Sequence, residues 1–158
     1  MRPPGRAIEL HIHLLLASRL EVHGSPLPAE LRPVVDTLKT TLAYRSYGLI
    51  SSLVQRTMDG GGNLNGTFQA PMPGSSRTAS PTDFRWRIRG IRIRPAQAGP
   101  ALLEFNHFGV QALESGKDRS VAEMDTDFSM KDGDRVVVGT TTFQDKALIV
   151  VVMAKVAE

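Results

Sequence analysis

A chain of 158 residues with 41% apolar and 22% charged residues has the make-up of a globular domain large enough for its own core. The absence of cysteine excludes a disulfide framework, thiol catalysis and thiolate metal sites. The 19 basic and 16 acidic residues leave a net charge of +3, so the distribution of charge matters more than its sum.

No run approaches the roughly 20 apolar residues of a membrane helix, and no membrane span is expected. Arg2 and Arg6 precede an apolar stretch, as in an export signal, but the stretch alternates. Ile8, Leu10, Ile12 and Leu14 interleave with Glu9, His11 and His13, which is the period of a half-buried strand over 8–17. Gly24 to Pro28 breaks it. From Ala29 to Leu42, Leu31, Val34 or Val35, Leu38 and Leu42 recur at three- and four-residue steps and predict the principal helix. Pro33 requires that the helix proper begin near it or follow a short separate turn.

Strands follow at Leu49–Thr57 and Leu64–Ala70, joined through Asp59-Gly60-Gly61-Gly62. Pro71–Pro81 reads as a loop. Phe84–Arg94, Leu102–Leu113 and Val121–Ser129 read as further strands with short connections, and no internal repeat is visible. Asp132-Gly133 is a turn pair leading into two β-branched runs, Arg135–Thr142 and Ala147–Val156. Both runs are apolar on both faces, which predicts that this hairpin forms the core. The expected fold is α+β: a mainly antiparallel sheet or small sandwich of seven to eight strands with one principal helix. One domain spans 1–158, with lobes at 1–70 and 83–158 on either side of the loop 71–82.

Three groups of residues invite a functional reading. His11 and His13 share one strand face at a spacing that suits two metal ligands, with His107, Glu9 or Glu104 as a third. The solvated face of an edge strand is the preferred explanation of the pair, and no cofactor is expected. Arg85, Arg87 and Arg89 share a face, after which the parity slips to Arg92 and Arg94. A bulge at Gly90–Ile91 would keep all five arginines on one side. Such a face could bind an anionic polymer, either nucleic acid or an acidic polysaccharide or lipid, or pair with Glu104, Glu114, Glu123, Asp125 and Asp127 on neighbouring strands. The third group, Glu123, Asp125 and Asp127, shares its face with no nucleophile, and Gly60-Gly61-Gly62 lacks the Lys-Ser/Thr of a phosphate loop. No catalytic residue is assigned, and the chain is not expected to be an enzyme.

The C-terminal hairpin resembles the end of the core domain in the secretin family of bacterial type II and III secretion channels. The matching residues run from Phe128 through Asp132-Gly133-Asp134 and Val136-Val137-Val138-Gly139 to Lys146-Ala-Leu148-Ile149-Val150-Val151-Val152-Met153. Thr140 stands where the family usually has a second glycine, and Met153-Ala154-Lys155 where it tends to end in Thr-Pro. The resemblance implies a non-enzymatic cell-envelope or periplasmic protein that works through protein partners or homo-oligomeric self-assembly. The residues themselves leave a cytoplasmic location open.

Overall fold

The computed structural model describes residues 6–19, 27–42, 44–60, 63–70, 82–113, 120–143 and 146–157. The proline-rich loop expected over 71–81 lies outside them, as does all but Ser120 of the polar turn expected over Ser115–Ser120. The elements in order are β1 (Ala7–Ser18), a 3-10 turn η1 (Ala29–Leu31), α1 (Arg32–Thr41), β2 (Ser46–Met58), β3 (Leu64–Ala70) and β4 (Thr82–Arg94), then β5 (Leu102–Leu113), β6 (Ser120–Lys131), β7 (Arg135–Phe143) and β8 (Lys146–Val156). Pro33 falls in the first turn of α1, where its missing N–H has no helical partner to lose, and η1 is the separate turn that precedes it.

Every strand pair is antiparallel. Sheet A has the order β2-β1-β8-β7 and sheet B the order β3-β4-β5-β6. Each strand thus pairs with at least one sequence neighbour, and β8 returns to pair with β1. The chain changes sheet at two places, between β2 and β3 and between β6 and β7. Each sheet draws on both the first 70 residues and those after 82.

The two faces of sheet A are buried for different reasons. Even-numbered residues of β1 and β8 (Leu10, Ile12, Leu14, Val150, Val152) point between the sheets and meet Phe84, Ile88, Phe105 and Phe108 of sheet B. Odd-numbered ones (Leu15, Ala17, Ile149, Val151) pack under Leu31, Val35 and Leu38 of the helical segment. A strand sandwiched in this way must be apolar on both faces, which explains the unbroken Leu148–Val152 run. The core expectation for the closing hairpin therefore holds for β8 but not for β7. The latter ends sheet A, and its residues from Val136 to Gly139 are only half-buried. Inside sheet B, Phe128 stacks on Phe105 at 4.4 Å and meets Phe108 edge-on at 5.8 Å.

A repeat that the sequence does not show is present in the architecture. Asp59 and Asp132 stand at the two places where the chain changes sheet. The N–H of Asp59 donates to Arg6 O, the residue before β1, and that of Asp132 to Ala101 O, before β5. Gly60 N–H donates to Ile91 O of β4, and Gly133 N–H to Ala154 O of β8. Both glycines have positive φ, +72° and +86°. Exchanging β1–β4 with β5–β8 maps sheet A onto sheet B, so the fold has an approximate two-fold arrangement.

Candidate functional site

Strand β4 places Phe84, Trp86, Ile88 and Ile91 inward and exposes Arg85, Arg87, Arg89, Arg92 and Arg94 together on the outer face of sheet B. The parity inverts between Arg89 and Ile91, so the five arginines share a face as expected, but the bulge expected at Gly90–Ile91 does not appear in the β4–β5 register. The inversion does not disturb the β4–β5 register, because β5 inverts at the same level: Phe105 and Phe108 both face the core. The extra residue appears instead between β5 and β6, where the register shifts between Phe105 and Phe108. The strained position is His107, at φ +50°, whose N–H donates to Asp127 Oδ1 at 2.7 Å. Asp127 is thus the acceptor that closes the bulge.

At least two of the five arginines meet an acidic partner. Arg94 Nε meets Glu104 Oε1 at 2.9 Å, and Arg87 approaches Asp125 at 3.9 Å. Asp125 also lies 3.7 Å from His107 Nδ1, and Gln111 donates to Glu123 at 3.4 Å. With 62% and 70% of the Arg87 and Arg94 side chains exposed, each such pair contributes about 0–1 kcal/mol. Gly109 has no side chain between β4 and β6, leaving a shallow trough walled by Arg85 and Arg87 on one side and Glu123 and Asp125 on the other. Opposite charges on its walls make it a poor cradle for a polyanion. Glu114 lies outside the described residues.

A second cluster sits on the outer face of sheet A, beyond the end of the helical layer. The histidines stand on β1, a central strand flanked by β2 and β8, and not on the edge strand expected from the sequence. His13 is 4% exposed. A register shift in the β1–β2 pair between Leu14 and Leu15 sets Ser52, rather than Ser51, opposite His13. Ser52 Oγ lies 2.8 Å from His13 Nδ1. On the other side of the ring, Glu30 Oε1 of η1 comes within 3.3 Å of His13 Nε2, but without the alignment of a hydrogen bond. His11 Nε2 is held by Glu9 Oε1 at 2.8 Å. That bond, followed by the charges of Arg56, His11 and Lys155, holds the Glu9 carboxyl below its ordinary range. Burial pushes His13 below the ordinary histidine value; Glu30 opposes this, while His11 and Arg135 add to it.

His11, His13 and Glu30 therefore come together, with one candidate ligand atom from each lying within 4.8 Å of the others. The third partners suggested by spacing fall elsewhere: His107 and Glu104 belong to sheet B, and Glu9 is engaged with His11 and Arg56. Glu30 escapes a reading by sequence because 16 residues and a change of layer separate it from His13. The carboxylates of Asp59 and Asp132, at the two turns between sheets, are structural acceptors. Asp59 Oδ1 accepts from Ile93 N–H and Asp132 Oδ1 from Val156 N–H, each at 2.8 Å.

No protein-family model and no curated protein matches the chain. Among solved structures it is similar to the Salmonella SPI-1 type III secretion injectisome secretin InvG (residues 176 to the end, open gate state), at 10% sequence identity and a TM-score of 0.44. The match covers 99% of this chain and 62% of that one, so this chain spans less than two thirds of the length of the chain it matches.

Proposed function

We propose that the protein is a non-enzymatic assembly module of the cell envelope, secretin-like in character, that works through contacts between subunits. The observation that carries this reading is the edge of sheet A. Strand β2 runs thirteen residues without proline and, among the described residues, has a neighbouring strand on one side only. It turns Val54, 58% exposed, and Met58, 45% exposed, to solvent. A long edge strand with apolar side chains on show is a template for pairing with another chain, unless charge or a bulge blunts it. Here Arg56 is the one charged residue along the strand, and the extra residue opposite Leu14–Leu15 is Ile50, away from Val54 and Met58.

The secretin-like character and the envelope setting rest on the Phe128–Met153 pattern. Its folding as β6, an Asp-Gly turn, β7 and β8 supports them. The non-enzymatic reading draws on the fact that Asp59, Asp127 and Asp132 each accept a backbone N–H and so hold turns or bulges. The polyanion alternative loses force from the acidic partners on the arginine face.

Light scattering coupled to size-exclusion chromatography, run over a range of protein concentrations at low and high salt, tests the assembly. A discrete oligomer that survives high salt is expected, and Val54→Lys with Met58→Lys should reduce it to monomer with an unchanged β-sheet spectrum. A wild-type protein that is monomeric at every concentration overturns the proposal.

A further inference from the structure

We infer that β1 and η1 build a site for one zinc-type divalent cation, with His11, His13 and Glu30 as its three protein ligands. Two imidazoles and one carboxylate are a donor set that zinc accepts, with the fourth tetrahedral position left to water. The separation fits. Ligands about 2.0–2.1 Å from a metal at the tetrahedral angle lie roughly 3.3–3.4 Å apart, and His13 Nε2 and Glu30 Oε1 are 3.3 Å apart.

His13 is the observation that separates this cluster from an ordinary polar face. It is 96% buried, yet among the described residues Nε2 has no hydrogen-bond partner. Leaving a buried polar atom unpaired costs about 1–3 kcal/mol. In the tautomer whose Nδ1 donates to Ser52 Oγ, Nε2 presents a lone pair to the Glu30 carboxylate, so two acceptors face each other across 3.3 Å. A cation between them satisfies both.

The surrounding groups are those that orient metal-binding histidines. Ser52 holds the far nitrogen of His13, and Glu9 holds one nitrogen of His11. Burial favours the neutral form of His13, which is the form that ligates. Arg135 opposes a cation electrostatically, while the Glu9 and Glu30 carboxylates favour it. The side chains of His11 and Glu30 are 27% and 33% exposed, which leaves the open side accessible to solvent. Bound there, the cation would staple η1, and with it the start of α1, to the centre of sheet A. This inference is independent of the β2 edge and stands or falls separately from the assembly proposal.

The test uses the full chain, stripped with a chelator and titrated with Zn²⁺ by calorimetry, with thermal unfolding in parallel. One equivalent per chain and a raised melting temperature are expected. Ser52→Ala should weaken binding about 10–100-fold, the usual effect of removing a group that orients a ligand. Glu30→Gln and His13→Gln should abolish both the stoichiometric binding and the thermal shift, while His107→Gln leaves them intact. Glu30 is partly exposed, so its variant keeps the test decisive if His13→Gln folds poorly. Binding below one equivalent overturns the site, as does affinity unchanged in both Glu30→Gln and Ser52→Ala.

Discussion

Asp59 and Asp132 carry the same three hydrogen bonds at the two points where the chain passes between sheets. Each donates its N–H to the residue before a strand, is followed by a glycine that donates to a second strand, and accepts on Oδ1 the N–H two residues further along that strand. The aspartates differ in exposure: the Asp132–Val156 bond is partly buried, and the Asp59–Ile93 bond is exposed. Asp132→Ala should therefore cost about 2 kcal/mol and Asp59→Ala about 1 kcal/mol, with Asn recovering most of each loss. Urea unfolding measures both, and equal costs at the two sites would contradict the burial argument.

Gly66 and Gly90 lie in adjacent strands of sheet B but respond oppositely to an added methyl. A Cβ on Gly66 would stand 2.6 Å from Trp86 Nε1 and 2.9 Å from Cε2, whereas one on Gly90 meets nothing within 4 Å. Gly66→Ala forces the indole to shift and should cost about 1–3 kcal/mol, while Gly90→Ala should lie within about 0.5 kcal/mol of wild type. Trp86 is the only tryptophan, so its fluorescence reports the displacement directly. An unchanged emission spectrum in Gly66→Ala would show that the indole does not fill that space.

Tyr47 is packed under the helical layer, 8% exposed, and its hydroxyl has no hydrogen-bond partner among the described residues. Burial, followed by the neighbouring Tyr44, raises its pKa above 10.0. Tyr47→Phe removes an unsatisfied group without changing shape, so stability should hold or rise by up to about 1 kcal/mol. A loss of more than that in chemical denaturation would reveal a partner for the hydroxyl.

Most of the strand pattern is legible because burial writes itself into alternation. The apolar run of β8 follows from its position between sheet B and the helix, and the arginine parity slip locates the inversion in β4. The matching slip in β5, where Leu103 and Phe105 give way to Phe108 and Val110, is equally visible and identifies the coupled bulge once the two strands are read together. Long-range closure is not legible. The pairing of β1 with β8, the edge position of β7 and the landing of Glu30 beside His13 depend on how layers stack, which local periodicity does not encode. For the same reason the histidine pair looks like a solvated edge in sequence, yet sits at the centre of a sheet.

His13 gives the chain a specific sensitivity to acid in metal-free protein. Its pKa in the folded state is lowered from 6.5. Between that lowered value and 6.5 the unfolded chain binds a proton that the folded chain does not, so stability falls as pH drops through this window. Below the folded pKa both states are protonated and the loss levels off. Burial is the main cause of the shift; Glu30 from η1 opposes it, His11 from β1 and Arg135 from β7 add to it, and Ser52 fixes the ring. Glu9, whose pKa is also lowered, acts in a separate window below 4.5, with little effect because it is exposed. Denaturant unfolding with chelator present, at about pH 7.5 and about pH 5, should show a decrease in stability that shrinks in His13→Gln. An equal decrease in wild type and variant would assign the acid sensitivity to other groups and remove His13 as its source.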